Sequence, residues 1–332
     1  MIISRTPFRI SFFGGGSDYP TWYLKYGGLV LGTTIDKYCY ISCRYLPPFF
    51  DYTHRIVYSQ IDNVTDTKDI SHPAVRGIIE YMKESRGLEI HHNGDLPARS
   101  GLGSSSSFTV GMIHALTALR GKMISKKDLA QEAVHMEQEV LKEHVGSQDQ
   151  ILTTYGGFNM IEFHTDGTYE ISPVILDKEK TERFQDHLML FFTGFTRFAS
   201  EIAKSHIDNL ENKRRETQTM MQMAREGKDC LQSDNPCYED FGKLLHEYWQ
   251  YKRNFSDKVS NAEIDRIYET GIKAGATGGK LLGAGGGGFI LFFVNPEKKP
   301  AVREALKSLV HVNFTLDSTG SKIVIYEPND FQ

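Results

Sequence analysis

The chain predicts an α+β fold in two domains, on three observations. Apolar-alternating runs and helical stripes follow one another without the regular spacing of βαβ units, which disfavours a doubly wound sheet. At 332 residues the chain exceeds the size at which one hydrophobic core usually keeps growing. A glycine-serine loop, Asp95 to Ser107, connects a strand-like segment to a helix, and such a loop offers free amides and the positive end of a helix dipole to an anion.

In chain order, Ile2–Ile3 and Phe8–Phe13 read as strands, interrupted by Pro7 and ended by Gly14, Gly15 and Gly16. Leu29–Leu31 and Tyr38–Tyr45 are further strands, the second in clean alternation, and Arg55–Tyr58 is another. A helix is expected over Ala74–Ser85, a strand over Leu88–His92, and a helix over Ser104–Leu119, where Phe108, Met112, Leu116 and Leu119 form a stripe. Ser125 caps a helix expected to reach about Glu143. Phe158–Phe163 and Tyr169–Ser172 flank an Asp166-Gly167 turn, a strong hairpin signal. A charged stretch, Asp177–Arg183, precedes a strand at His187–Phe192, so the boundary is placed at 180, giving domains 1–180 and 181–332. The second half predicts helices at 198–227, 236–254 and 261–274, then a glycine-dense turn from Gly278 to Gly288. The strand Phe289–Val294, a helix over Glu297–Leu309 and a strand at Lys322–Tyr326 close the chain.

Composition narrows the function classes. A formal net charge of −4 and the lack of a basic block argue against a nucleic-acid partner. No apolar run is long enough to span a bilayer, and the N-terminus shows no signal core, so no membrane is expected. Four cysteines form no Cys-x-x-Cys pair, and the histidines show no zinc spacing. A reduced, cytoplasmic enzyme is expected.

Four features carry chemistry. The loop Pro97, Arg99, Ser100, Gly101, Leu102, Gly103, Ser104, Ser105, Ser106 is read as a phosphate cradle whose hydroxyls suit a hard cation; it is neither a Walker A loop nor a dinucleotide fingerprint. Glu137 shares a helix stripe with Ala130, Ala133 and Leu141, so its carboxylate points to the apolar side and needs either a cation or an internal arginine partner. Asp149, in Gly146–Gln150, is either a turn former or a catalyst. The glycines from Gly278 to Gly288, Gly285 and Gly286 among them, would let backbone approach a ligand closely.

Three stretches, in order and correctly separated, resemble the motifs of the galactokinase, homoserine kinase, mevalonate kinase and phosphomevalonate kinase superfamily, the GHMP kinases: Pro7–Tyr19, Pro97–Ser106 and Lys280–Gly288. The resemblance spans nearly the whole chain. It implies a ribosomal-protein-S5-domain-2-like N-terminal domain, a ferredoxin-like C-terminal domain, and ATP with Mg²⁺. It implies that the 97–106 loop wraps the ATP phosphates and that Ser105 and Glu137 are the metal ligands. Asp149 would take the acceptor hydroxyl, with Arg9 beside it and the transferring phosphoryl group. Gly15, Gly16, Ser17, Asp18 and Tyr19 would line the acceptor site together with Gly285 and Gly286.

Gly15 stands where galactokinases carry an acidic residue that holds the distal sugar hydroxyl. Its absence suits an acceptor with a phosphorylated tail, or a 6-deoxy sugar. The stretches Pro7–Tyr19, Gly32–Tyr38, Ser104–Phe108 and Gly146–Gln150 resemble the D-glycero-D-manno-heptose 7-phosphate kinases. That implies phosphorylation of the anomeric hydroxyl to the 1,7-bisphosphate, for nucleotide-activated heptose. Another sugar 1-kinase, such as a fucokinase, and a non-catalytic sugar or nucleotide sensor are the alternatives. The implied partners are a sugar phosphate and ATP, with a homodimer allowed. Arg197, where a strand end turns into the 198–227 helix, is the candidate for the distal phosphate, against a surface pairing with Glu201; Lys204 lies further along the same helix.

Overall fold

Pro7 does not divide the first strand. In the computed structural model, which describes residues 1–195, 203, 205, 207–234 and 236–328, β1 (Ile2–Phe13) runs unbroken and absorbs the proline as a register shift between Pro7 and Phe8. The missing N–H is tolerated because β1 is paired on its second side only over Ile2–Arg5. Beyond that point the glycine-serine loop takes the free side: Arg9 N donates to Leu102 O at 3.0 Å, and the Ser107 hydroxyl donates to Pro7 O at 2.9 Å. The two strands expected at 29–31 and 38–45 are likewise one strand, β2 (Gly28–Tyr45). It pairs with β1 along its length, and its other side is shared among later strands.

The remaining strands are β3 (His54–Val57), β4 (Ile61–Val64), β5 (Leu88–Gly94), β6 (Phe158–Phe163), β7 (Tyr169–Pro173), β8 (Leu188–Phe192), β9 (Ala276–Leu281), β10 (Phe289–Val294), β11 (Val310–Val312), β12 (Leu316–Asp317) and β13 (Lys322–Tyr326). Among the described residues they form two sheets. The larger follows the path β13-β1-β2-β5-β3-β4, with β12 and β6 also on β2, and β7 on β6. The smaller is antiparallel with order β11-β8-β10-β9. Read in chain order, with helices between β8 and β9 and between β10 and β11, that is the ferredoxin-like arrangement. The fold is the mixed α+β one expected. β12 and β13 return to the larger sheet, so one cut at residue 180 does not separate the two sheets.

Several local expectations needed correction. Gln148–Tyr155 and Lys178–Asp186 are helices where a loop and a charged stretch are expected, and Pro20–Tyr26 is a further helix, because short helices carry too few apolar positions to show a period. The helix capped by Ser125 ends at His135 and widens into a π turn over Met136–Val140. Gly278–Leu281 belongs to β9 rather than to the turn. Of the helix expected at 198–227, the described residues are helical at 203, 205 and 207–209, break into a turn at 210–213, and are helical again over Arg214–Gln232.

The two sheets meet at two places. Phe12 and Phe13 at the end of β1 stack edge-on against Phe241 and Tyr248 of the Tyr238–Arg253 helix, and Phe184 completes the cluster. Closer to the surface, backbone meets backbone. A Cβ on Gly101 would lie 2.4 Å from Leu282 O, and one on Gly283 would lie 2.5 Å from Gly101 Cα. Phe289 N donates to Ser100 O at 3.1 Å across the same junction. Gly283→Ala therefore combines a steric clash with a φ of 72°. It should lower unfolding free energy by about 1–3 kcal/mol, read as a lower urea midpoint at unchanged slope. An unchanged midpoint would mean that the loops do not meet in solution.

Candidate active site

The loop 99–103 crosses the end of β1 and feeds the helix Ser104–Leu119, whose N-cap is Gly103 at φ 73°. A side chain at Gly103 would press on Arg9 Cγ at 3.0 Å and approach Asp149 Oδ2 at 3.5 Å. The loop therefore lies directly on the Arg9–Asp149 pair. Arg9 Nε donates to Asp149 Oδ1 at 2.7 Å and Nη2 to Oδ2 at 2.6 Å, a two-pronged fork, while Nη1 donates to Gly101 O at 2.7 Å. Arg9 is 4% exposed and Asp149 24%, so the pair is anchored in protein with its carboxylate end open. Asp149 lies in the first turn of the helix Gln148–Tyr155, where the helix dipole favours a carboxylate.

Glu137 is fully buried in the π turn, a distortion frequent at functional sites. Its Oε2 accepts from the Ser106 hydroxyl at 2.8 Å and from the Gln150 amide, and its Oε1 from the Thr109 hydroxyl at 2.9 Å. No arginine or lysine among the described residues pairs with it, so the internal ion pair is not what holds it. Burial pushes its pKa up to about 7, with Glu143 adding to the effect. The hydroxyl that meets Glu137 belongs to Ser106, not Ser105. On the helix Ser106 and Thr109 share the inward face, whereas Ser105 is exposed at the loop mouth. The donor set, a carboxylate beside serine and threonine hydroxyls, is of the oxygen kind that Mg²⁺ takes.

The acceptor-side residues separate into two groups. Asp18 is buried, accepts from Gly16 N at 2.9 Å and Gln148 N at 3.3 Å, and is pushed above the usual carboxylate range by burial and by Asp149. It thus ties the first motif to the segment bearing Asp149. Gly15 and Tyr19 are half-buried at the same turn. Ser17, by contrast, is wholly buried, with its hydroxyl closing the turn between Gly14 O and Leu29 N. Gly285 and Gly286 pack on Val259, with Gly286 N donating to Val259 O at 2.9 Å. Ser100 and Leu102 are buried and reach the site through backbone; Pro97 and Arg99 are exposed, and Ser104 Oγ accepts from Arg99 N at 3.1 Å. Arg197 and Lys204 lie outside the described residues.

The GHMP kinases N terminal domain family matches residues 73–157, and the GHMP kinases C terminal family matches residues 230–311. Over 321 residues the chain is 32% identical to the D-glycero-alpha-D-manno-heptose 7-phosphate kinase of Campylobacter jejuni, covering 92% of this chain and 93% of that one. This chain belongs to the GHMP kinases. It is also 25% identical to the bifunctional fucokinase/GDP-fucose pyrophosphorylase of Arabidopsis thaliana, over 93% of this chain but only 31% of that larger protein. The crystal structure of a D-glycero-D-manno-heptose 1-phosphate kinase from Bacteroides thetaiotaomicron shares the fold, with a TM-score of 0.80 over 98% of this chain and 100% of the other at 23% identity. No helix among the described residues is long and apolar enough to cross a membrane.

Sequence reasoning missed several residues of this kinase site. Gln150 and Thr109 complete the shell around Glu137. Gln148, Tyr248 and Ser11 surround Gly15. Lys280, 1% exposed, donates to Ser11 O and Phe12 O at 2.8 Å each, with its ammonium 4.3 Å from the Tyr248 ring. Ser11, Gln148, Gln150 and Lys280 stand inside the stretches singled out above and Thr109 and Tyr248 outside them, but what each touches is set by the tertiary fold and not by its own stretch.

Glu137 allows a pH test. Its folded pKa is raised, so the folded state binds the extra proton and stability falls as pH rises between the ordinary value of 4.5 and about 7. Glu137→Gln removes that titration. The stability of the variant relative to wild type should therefore increase from pH 4.5 to pH 7.5 in the absence of metal, measured by urea unfolding. A difference that stays flat, or falls, would show that Glu137 does not titrate in this range.

Proposed function

We propose that this GHMP kinase phosphorylates the anomeric hydroxyl of D-glycero-D-manno-heptose 7-phosphate with ATP, giving the 1,7-bisphosphate for nucleotide-activated heptose. The observation that carries the kinase chemistry is the Arg9–Asp149 fork set under the glycine-serine loop at a helix start. Phosphoryl transfer needs positioning and charge stabilisation more than covalent help from the protein. Free amides at the start of the Ser104–Leu119 helix would face the ATP phosphates, and Arg9 would face the group in transit. Each Asp149 oxygen accepts one bond from Arg9 and keeps a lone pair for the acceptor O–H. As the anomeric oxygen bonds to the γ-phosphorus, the bond to the β,γ-bridging oxygen breaks, ADP leaves, and the hydroxyl proton passes to Asp149. Ser106 and Glu137 would hold the Mg²⁺, which supplies neutralising charge to the phosphate oxygens.

The choice of acceptor is supported by the identity to the heptose 7-phosphate kinase and by Gly15. A Cβ there would meet Gln148 Nε2, Tyr248 OH and Ser11 Oγ at 3.4–3.6 Å, ordinary contact distances. A longer acid would fit without disrupting the turn, and its carboxylate would reach into the acceptor side. The glycine leaves that space and charge to the substrate. Residues 1–180 would then carry the nucleotide loop, and residues 181–332 would close the site through the third motif.

A coupled ADP-release assay with heptose 7-phosphate, fucose, galactose and mannose tests the reading; turnover confined to another sugar, or ATP binding without turnover, would sink it. Asp149→Asn should nearly abolish that turnover, by about 10²–10⁴-fold, while ATP affinity by calorimetry stays within a few-fold. Full activity in this variant would remove Asp149 from the mechanism. Gly15→Glu should raise KM for heptose 7-phosphate by at least about tenfold, since one like-charge contact of about 1.4 kcal/mol suffices, and should spare unphosphorylated sugars. A variant that still favours the phosphorylated sugar by the same margin would refute the pocket assignment.

A further inference from the structure

Lys252, near the C-terminal end of the Tyr238–Arg253 helix, would read in the sequence as one of the basic residues that commonly end a helix in solvent. In the structure it is 7% exposed. Its ammonium donates to Leu281 O at 3.1 Å and to Gly283 O at 2.5 Å, and among the described residues no carboxylate pairs with it. Burial lowers its pKa to about 7, Arg9 adds to the effect, and Asp149 and Asp18 oppose it, so the group lies within electrostatic reach of the reaction centre.

The two carbonyls it holds belong to the third glycine motif at the point of contact with the phosphate loop. Gly283 packs on Gly101, and Gly101 O is the third acceptor of Arg9, whose fork sets Asp149. An unbroken path therefore runs from Lys252 through Gly283, Gly101 and Arg9 to the carboxylate. Burying an ammonium on carbonyls alone is costly, and a packed apolar side chain would support the helix without that cost. What the ammonium adds is a fixed position for the 281–283 backbone.

We propose that Lys252 is a positioning residue for phosphoryl transfer, clamping the third glycine motif onto the phosphate loop so that Gly101 O holds the Arg9–Asp149 pair in its reactive orientation. This rests on the kinase reading of the site, but not on which sugar is the acceptor.

The test compares Lys252→Met, which keeps length and loses both donors, with Lys252→Arg, which keeps a charged donor. Kinetics use whichever sugar of the panel the wild type phosphorylates, or ATP hydrolysis if it phosphorylates none. The methionine variant should lose about 10–100-fold in kcat, as expected for a misplacement near 1 Å, with KM for ATP and sugar within about threefold. The arginine variant should recover to within about fivefold of wild type. Hydrogen exchange on the free protein gives an independent reading. The Phe289 amide, bonded to Ser100 O across the junction, should exchange at least tenfold faster in Lys252→Met. Wild-type kcat and unchanged exchange in that variant would overturn the proposal, as would a fall in kcat/KM carried by KM alone. If the methionine variant does not fold, a folded arginine variant more than tenfold slower than wild type would overturn it, and one within fivefold would support it. A wild type that is silent on every sugar would end the acceptor assignment and leave the exchange result to decide the clamp.

Discussion

One buried guanidinium constrains the site. Arg9 donates to both oxygens of Asp149 and to the carbonyl of Gly101, and its own backbone amide holds Leu102 O. A charged fork with three satisfied acceptors has little freedom, because each lost bond would leave a buried charge partly unpaired. The glycine-serine loop, the end of β1 and the start of the Gln148–Tyr155 helix are therefore held to one geometry. That rigidity places a carboxylate and a helix start on the same small space.

The burial of charge follows a consistent pattern. Among the described residues, Glu137 is held by hydroxyls and an amide with no cation, and Lys252 and Lys280 are held by carbonyls with no carboxylate. Each would be cheaper as an apolar residue if stability alone were at stake. The two lysines lie where the two sheets meet, and Glu137 lies behind the start of the Ser104–Leu119 helix.

At one junction glycine serves the approach of two backbones. At the junction of Gly101 and Gly283, methyl groups would be 2.4–2.5 Å from backbone atoms, so the second and third motifs are conditions on each other. The glycines at 285 and 286 fix the same loop against Val259.

Periodicity and turn chemistry determined much of this protein without any structure: the Ser104–Leu119 helix, the Asp166-Gly167 hairpin, β10 and the α+β class follow from local patterns that local sterics enforce. Gly101 and Gly103 stood out by residue type in the glycine-serine loop, whereas local chemistry left Glu137 and Asp149 with two readings each and said nothing of Arg9, whose place beside Asp149 only the resemblance implied. Continuity was not legible. Pro7 and the 32–37 segment look like breaks until a neighbouring strand absorbs the register shift, and the short helix that carries Asp149 has no period of its own. Tertiary structure alone decided that Ser106, rather than Ser105, meets Glu137, that Ser17 closes a turn, and that Lys252 and Lys280 leave solvent for carbonyls of distant strands. The direction of a side chain along a helix, and the partner that makes its burial tolerable, depend on what the rest of the chain packs against it, and no local window contains that partner.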